Sequence, residues 1–193
     1  MKKTLTMVLA LVLVFALGVG GTLAWLNDKT EAVTNVFTPS TIGVTLVEEA
    51  GGTTKQFKMV PGHTITKDPK ATVVADSEDC YLFVKIEKSA NYDTYLEEYN
   101  IAEGWTEHTD GVYYRVFDSK DTANTNVMGT PYSVLEDDQV KVKESVTKEM
   151  MDAIKNGEAD EPTLTFTAYA TQLYKNNTEK FEVSVAWTNA QAN

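Results

Sequence analysis

Histidine side chains are the residues of this chain that could hold a catalytic metal. There are only two, His63 and His108, 45 positions apart (108 minus 63). A zinc protease needs two imidazoles on one face, usually in a His-Glu-x-x-His helix, together with a third ligand and a carboxylate base. His63 follows a Pro-Gly turn, His108 lies in a polar hairpin, and neither has that motif around it. We expect two exposed loop histidines, although distant histidines can still meet in a folded chain.

Acidic residues are the other candidate ligands, because carboxylate oxygens suit Ca²⁺. They form three clusters, at residues 76–79, 136–138 and 158–161. None has the spacing of a defined calcium loop, so we predict solvated surface turns. The chain also has no Gly-x-Ser-x-Gly elbow and no phosphate-binding glycine loop. These patterns predict no catalytic residue, no metal site and no cofactor.

Cys80 is the only cysteine, so no intramolecular disulfide can form. It lies in an apolar run with the alternation of a strand. We therefore predict a small buried hydrophobic residue rather than a reactive thiol.

The N-terminus has the pattern of an export signal. Lys2 and Lys3 precede an apolar run at residues 5–19, and small residues follow at 22 and 24. This pattern predicts a signal peptide at residues 1–24, cleaved between Ala24 and Trp25. The run is shorter than the roughly 20 apolar residues of a membrane span. A retained N-terminal anchor is the alternative.

Composition limits what the mature protein can bind. Cleavage would leave 169 residues (193 minus 24), enough for one domain with one hydrophobic core. The signal carries two of the 17 basic residues and none of the 28 acidic ones, so the mature net charge is −13 (15 minus 28). Such a surface repels nucleic acid and anionic lipid. We expect contact with a membrane only before the signal is removed.

Short alternating segments dominate the rest of the chain and predict an all-β, antiparallel β-sandwich at residues 39–193, preceded by an extended segment at 25–38. The clearest strand begins at Cys80 and a second spans 163–171, and we expect these two in the middle of the sheets. The other predicted strands are 44–47, 57–60, 64–67, 71–75, 112–117 and 140–142, with Asp68-Pro69 as a turn.

Two segments have helical spacing. Tyr92, Tyr95, Leu96 and Tyr99 predict a short amphipathic helix within 91–100. Thr147 and Gly157 are suited to cap a second helix at 148–156. Residues 178–189 fit either a strand or a third helix, and alternation favours the strand.

Several motifs resemble one family. The sequence Gly-Gly-Thr-Leu-Ala-Trp-Leu-Asn-Asp at 20–28, followed by Val-Thr-Asn-Val-Phe-Thr at 33–38, resembles the signal region of the TasA/camelysin family of secreted bacterial proteins. Weaker likeness extends through residues 59–69, 77–85 and 166–172. The resemblance implies a jelly-roll sandwich, processing by a SipW-type signal peptidase, and self-association into biofilm-matrix or surface fibres, with other matrix proteins as possible partners.

The resemblance also raises a competing activity, since camelysin-type members are described as metalloendopeptidases. This chain offers no matching catalytic residues. A monomeric secreted binding protein is the third alternative. We expect a structural fibre subunit rather than an enzyme.

The segment released by cleavage is a candidate donor strand. It is extended and polar, with apolar residues that can act as anchors in the sheet of a neighbouring copy. The candidate anchors are Trp25, Leu26, Val33, Val36 and Phe37. Alternatively, the segment pairs with its own sheet as an ordinary first strand.

Overall fold

A computed structural model describes Lys3 and residues 6–8, 41–48 and 57–192. The chain divides into two units, Met1–Pro39 and Ser40–Asn193. In the first unit, Lys3 and residues 6–8 are helical. The second unit contains all the described strands and the remaining described helices.

The second unit is built mainly from short β-strands, with three α-helices and one 3-10 helix among its described residues. The strands are β1 (Val44–Glu48), β2 (Thr64–Thr66), β3 (Pro69–Val73), β4 (Cys80–Lys88), β5 (Thr106–Thr109), β6 (Val112–Phe117), β7 (Tyr132–Ser133), β8 (Gln139–Lys141) and β9 (Leu164–Gln172). The helices are α1 (Tyr92–Tyr95), α2 (Lys148–Lys155) and α3 (Val183–Gln191), and the 3-10 helix is Glu136–Asp138.

All strand pairs described are antiparallel, which confirms the predicted fold class. The largest sheet has the order β5-β6-β4-β9, a second sheet has the order β1-β3-β7, and β2 pairs with β8. The Asp110-Gly111 turn joins β5 to β6, and Gly111 has a φ of +71°, which a glycine adopts without strain.

The main hydrophobic core lies between the four-stranded and three-stranded sheets, which is the arrangement of a β-sandwich. Ala71 and Val73 of β3 pack with Leu82 and Val84 of β4, and all four are fully buried. Cys80 is buried in the same core, as predicted. The jelly-roll connectivity stays a prediction.

Helix α3 covers the opposite face of the four-stranded sheet. Phe83 of β4 is fully buried, and its ring centroid lies 5.2 Å from that of Trp187. Ala186 and Ala190 are buried against the same cluster. Because both faces of the first half of β4 are covered, Tyr81 and Phe83 are buried on one face and Leu82 and Val84 on the other.

The strand favoured at 178–189 is wrong, since α3 occupies Val183–Gln191. The alternating apolar residues fit a strand, but Val183, Ala186, Trp187 and Ala190 also recur at i, i+3, i+4 and i+7. The small alanines let the helix backbone approach the sheet. Packing against β4 therefore decided between two patterns that the sequence left open.

Three other predictions need correction. Residues 57–60 form no strand, because the Val60 carbonyl instead accepts the His63 amide in a turn. The predicted 91–100 helix is only α1, because Leu96 turns extended and bridges Val142. Pro69 belongs to β3 rather than to a turn.

Helix α2 confirms its predicted caps: the Thr147 hydroxyl accepts the Met150 amide, and Gly157 follows the helix with a φ of +76°. Strand β9 forms as predicted, but at an edge of its sheet rather than in the middle. Alternation shows that one face of a strand is buried and says nothing about whether a neighbour lies on each side.

Candidate functional site

The outer edge of β9 carries backbone groups that no described strand pairs with. The Leu173 amide donates to the Asp79 carbonyl at 2.9 Å, and the Ser89 amide donates to the Thr163 carbonyl at 3.0 Å. These bonds identify the odd-numbered residues of β9 as those paired with β4. The even-numbered residues, from Leu164 to Gln172, therefore direct their N–H and C=O groups away from β4.

Strand β1 has a similar open edge. It pairs only with β3 among the described strands, and the Val74 amide donates to the Gly43 carbonyl at 2.9 Å. That register directs the backbone groups of Val44, Leu46 and Glu48 away from β3. An exposed strand edge of this kind is a template for pairing with another strand.

The two open edges flank the same groove. Ile42 lies with residues 170–172 around one cavity, whereas Leu46 and Glu48 lie with Leu164 and Phe166 around a second cavity. The edges of β1 and β9 therefore run antiparallel along this space. We call it the edge groove, bounded by residues 42–48 and 164–172.

The wide end of the edge groove is a polar cavity of about 890 Å³. Its wall combines the end of β9 with the loops that follow β6 and β9. The residues that line it include Asp79, Lys120, Gln172, Tyr174, Asn177 and Asn189. Side-chain amides and hydroxyls predominate, so this end can accept polar groups of an entering chain.

Asp118 organises the loops beside this cavity. Its side chain is only 2% exposed, and its Oδ2 lies 2.6 Å from Lys180 Nζ. Its Oδ1 accepts hydrogen bonds from Tyr174 Oη at 2.9 Å and from the Lys120 amide at 3.0 Å. Burial by itself raises the pKa of Asp118, but these hydrogen bonds outweigh it and hold the pKa below its ordinary value.

The narrow end of the edge groove is a cavity of about 160 Å³ with one ion pair in its wall. Glu48 Oε2 lies 2.5 Å from Lys67 Nζ, and the two side chains are 9% and 14% exposed. Lys67 Nζ also lies 5.3 Å from the ring centroid of Phe166. Glu48 Oε1 is buried and has no hydrogen-bond partner among the described residues.

The predicted histidine positions are only partly correct. His63 is exposed in the turn before β2, as expected. His108 lies within β5 and is half-buried, with its ring centroid 6.3 Å from that of Phe83. Within the part of the chain that the structure describes, no group of three or more His, Cys, Asp or Glu residues could hold a metal ion.

The acidic clusters take part in local structure. Asp79 accepts hydrogen bonds from the Ser119 amide and hydroxyl, which ties the start of β4 to the loop after β6. Residues 136–138 form the 3-10 helix, in which Asp137 and Asp138 have φ values of +56° and +51°. Residues 158–161 follow α2, and most of this cluster is exposed.

Cleavage and donor-strand residues lie outside the described residues: Ala24, Trp25, Leu26, Val33, Val36 and Phe37. Their predicted roles stay predictions. None of the helices described is both long enough and apolar enough to cross a membrane.

Sequence reasoning missed Glu48 and Asp118. A signal for Glu48 was present, because it shares the inward face of β1 with Val44 and Leu46. A carboxylate at an inward position needs a partner. Asp118 begins a mainly polar run in the sequence, and no residue near it in sequence indicates that Lys180 is its partner.

Comparison with protein-family models, curated proteins and solved structures found no match to this chain. We therefore base the functional proposal on the residues of the chain and on the geometry of the edge groove.

Proposed function

We propose that this protein is a secreted structural subunit that assembles outside the cell into a matrix or surface fibre by donor-strand exchange. Residues 25–37 of one copy add as a strand in the edge groove of the next. The observation that carries the proposal is the pair of open edges, β1 and β9, which flank one groove in the described part of the chain.

Strand addition satisfies the outward backbone groups of the edge that the entering strand joins. The apolar residues that line the groove, among them Leu46, Leu164 and Phe166, offer contacts for alternate side chains of that strand.

The free energies nearly balance, which makes assembly depend on concentration. Burying three anchors contributes roughly 5 to 9 kcal/mol, and about eight main-chain hydrogen bonds contribute roughly 4 to 12 kcal/mol. Ordering some 12 residues costs about 12 to 24 kcal/mol. Subunits therefore stay soluble when dilute and join when concentrated. Cleavage comes first, because an attached membrane segment holds the strand away from a neighbour.

The N-terminal sequence supports the same proposal. The resemblance of residues 20–38 to the TasA/camelysin signal region implies export, SipW-type processing and a role in fibres. A mature net charge of −13 (15 minus 28) keeps a secreted subunit soluble before it assembles.

Electron microscopy of the mature protein tests the assembly. We expect fibres from residues 25–193, and none after deletion of residues 25–37, while circular dichroism shows that the truncated protein stays folded. Alanine at Asp28 and Lys29, which are not anchors, is the matched control and should leave fibres intact. A truncated protein that still forms fibres, or a mature protein that is monomeric at every concentration, contradicts the proposal.

Processing is tested separately by mass spectrometry of secreted material. We expect Trp25 at the N-terminus, because small residues at 22 and 24 precede the predicted cut. A membrane-bound form that keeps residues 1–24 contradicts this expectation.

A further inference from the structure

We propose that the wide end of the edge groove binds a neutral polysaccharide through the side-chain amides of Gln172, Asn177 and Asn189. The inference goes beyond the proposed function, because a saccharide binds to a single subunit and needs no added strand. The three residues all belong to the described part of the chain and line the same cavity.

The size and the lining of the cavity suit a polar ligand. Its volume of about 890 Å³ lies within the range of roughly 300 to 1,000 Å³ that is typical of small-molecule sites. Most such sites are mainly apolar, whereas this wall is mainly polar, so the ligand that fits it carries polar groups over most of its surface. Ile42, Met128 and Ala170 add an apolar area against which the C–H groups of a sugar ring can pack.

Hydrogen bonds within the chain hold the wall of the cavity in place. Asp79 accepts the Ser119 amide at 2.9 Å and the Ser119 hydroxyl at 3.0 Å. Lys120 Nζ donates to the Asn177 backbone carbonyl at 2.8 Å and lies 3.8 Å from the centroid of the Tyr174 ring. These contacts join the loops that follow β6 and β9. A site that is fixed before the ligand arrives loses less conformational freedom on binding.

Three side-chain amides in this wall are left for a ligand. Those of Gln172, Asn177 and Asn189 have no hydrogen-bond partner among the described residues. They come from the end of β9, the loop after it and α3. Each amide offers two N–H donors and one carbonyl acceptor. Two neighbouring hydroxyls of a sugar can therefore pair with one amide, one hydroxyl as acceptor and the other as donor.

The charges around the cavity favour a neutral ligand. Glu78 and Asp79 line it, and Lys120 is the one basic residue among the described residues of the lining. The Lys120 ammonium is already engaged by the Asn177 carbonyl and the Tyr174 ring. A carboxylate or phosphate on the ligand would therefore meet a net negative charge on a protein that is already acidic. The hydroxyls of a neutral saccharide meet no such repulsion.

The amides can be changed without changing the strand edge that the proposed function uses. Gln172 is the last residue of β9, and Asn177 and Asn189 lie outside that strand. Substitution of these side chains removes none of the backbone groups that β9 offers to an added strand. Variants of the amides therefore test saccharide binding separately from strand addition.

Affinity electrophoresis of the mature protein, dilute enough to remain unassembled, tests the proposal. The native gels contain hydroxyethylcellulose, starch or galactomannan, and parallel gels contain the carboxymethyl derivatives of cellulose, starch and galactomannan. We expect at least one neutral polymer to retard the protein and its carboxymethyl derivative to retard it much less. If no neutral polymer retards the protein, or if the carboxymethyl derivative retards it equally, the proposal is wrong.

Alanine substitutions test the assigned residues. Gln172→Ala, Asn177→Ala and Asn189→Ala should each lower the affinity for the retarding polymer about two- to tenfold, as expected for the loss of one neutral hydrogen bond. Asn156→Ala removes an exposed side-chain amide at the end of α2, away from this cavity, and should leave the affinity unchanged. Wild-type affinity in all three variants, or an equal loss in Asn156→Ala, overturns the inference.

Folding of each variant is checked by circular dichroism. Asn189 lies at an exposed position of α3, where alanine favours the helix, so Asn189→Ala decides the question even if another variant fails to fold.

A charge reversal at the cavity tests the preference for neutral polymers. Glu78→Lys should increase retardation by the carboxymethyl derivative relative to its neutral parent, because it removes the repulsion at the site. Glu158→Lys makes the same change in net charge after α2, and its side chain is not part of the described lining. It should leave the ratio as in the wild type. Equal changes in the two variants would show that net charge, and not this cavity, sets the preference.

Saccharide binding and fibre assembly can fail separately. A mature protein that binds a neutral polysaccharide but never forms fibres supports this inference and contradicts the proposed function. A protein that forms fibres through residues 25–37 but binds no neutral polysaccharide supports strand donation and overturns this inference.

Discussion

Asp118 joins the end of β6 to the turn that leads into α3, and we expect Asp118→Asn to weaken that junction. The carboxylate is 2% exposed and is held by Lys180, Tyr174 and the Lys120 amide. Asparagine has nearly the same shape and keeps one carbonyl acceptor. It removes the charge that makes these hydrogen bonds strong.

The expected loss of unfolding free energy is about 2 to 3 kcal/mol. A hydrogen bond to a charged group contributes about 1.5 to 3 kcal/mol, and the variant retains a weaker neutral bond. The Lys180 side chain is 44% exposed, so solvent limits its attraction to about 1 kcal/mol or less. For a domain of this size, the loss lowers Tm by roughly 4 to 12 °C.

The effect should depend on pH in a defined direction. Because its hydrogen bonds hold the pKa of Asp118 below its ordinary value, the folded state binds the proton less readily than the unfolded state does. The stabilisation is therefore complete above the unfolded pKa of about 3.9 and is lost as pH falls through the lower folded pKa. The difference between wild type and Asp118→Asn should be largest near neutral pH and should shrink in acid.

Chemical denaturation followed by circular dichroism, at neutral pH and in acid, measures this difference. Lys180→Met in both backgrounds completes a double-mutant cycle and should give a coupling of about 0.5 to 1 kcal/mol. A variant within about 0.5 kcal/mol of wild type at neutral pH, which is the usual range for surface substitutions, would refute the reasoning. So would a difference that persists unchanged in acid.

Three further variants or probes test other parts of the structure. Gly104→Ala should destabilise by about 1 to 3 kcal/mol in denaturation, because Gly104 has a φ of +87° and its added Cβ meets the Arg115 guanidinium. Gly157→Ala is the control with a similar φ and no atom within 4 Å, and it should cost less. Burial and the nearby Asp79 charge raise the pKa of Cys80 to about 12, so a thiol reagent should label it only on unfolding, and rapid native labelling contradicts its burial. Trp187→Ala should lower the unfolding free energy by about 2 to 4 kcal/mol, and an unchanged Tm would contradict its packing against β4.

The local pattern of the sequence was sufficient for β4 and for α2. Strand β4 alternates and is bounded by turn residues, and it forms where predicted. Helix α2 has a threonine cap before it and a glycine after it, and both act as predicted. These features depend on neighbouring residues alone, so they can be found without knowing the fold.

Where the sequence fitted two patterns, contacts with other segments of the chain determined which secondary structure formed. Helix α3 forms because Ala186 and Ala190 let it pack against the sheet, although the same residues also alternate. Leu96 leaves α1 because it bridges Val142, a partner 46 positions away (142 minus 96). Contacts of that range have no signal in the local sequence.

The sequence by itself determined that the chain is β-rich, that it carries one cysteine and an acidic surface, and that its N-terminus has the pattern of an export signal. Only the tertiary structure decided that β9 is an edge strand, that its open edge faces that of β1, and that Glu48 meets Lys67 between them. Alternation specifies which side chains of a strand point inward. The strand order of a sheet depends instead on hydrogen bonds between segments distant in sequence, and these place the two open edges beside one groove.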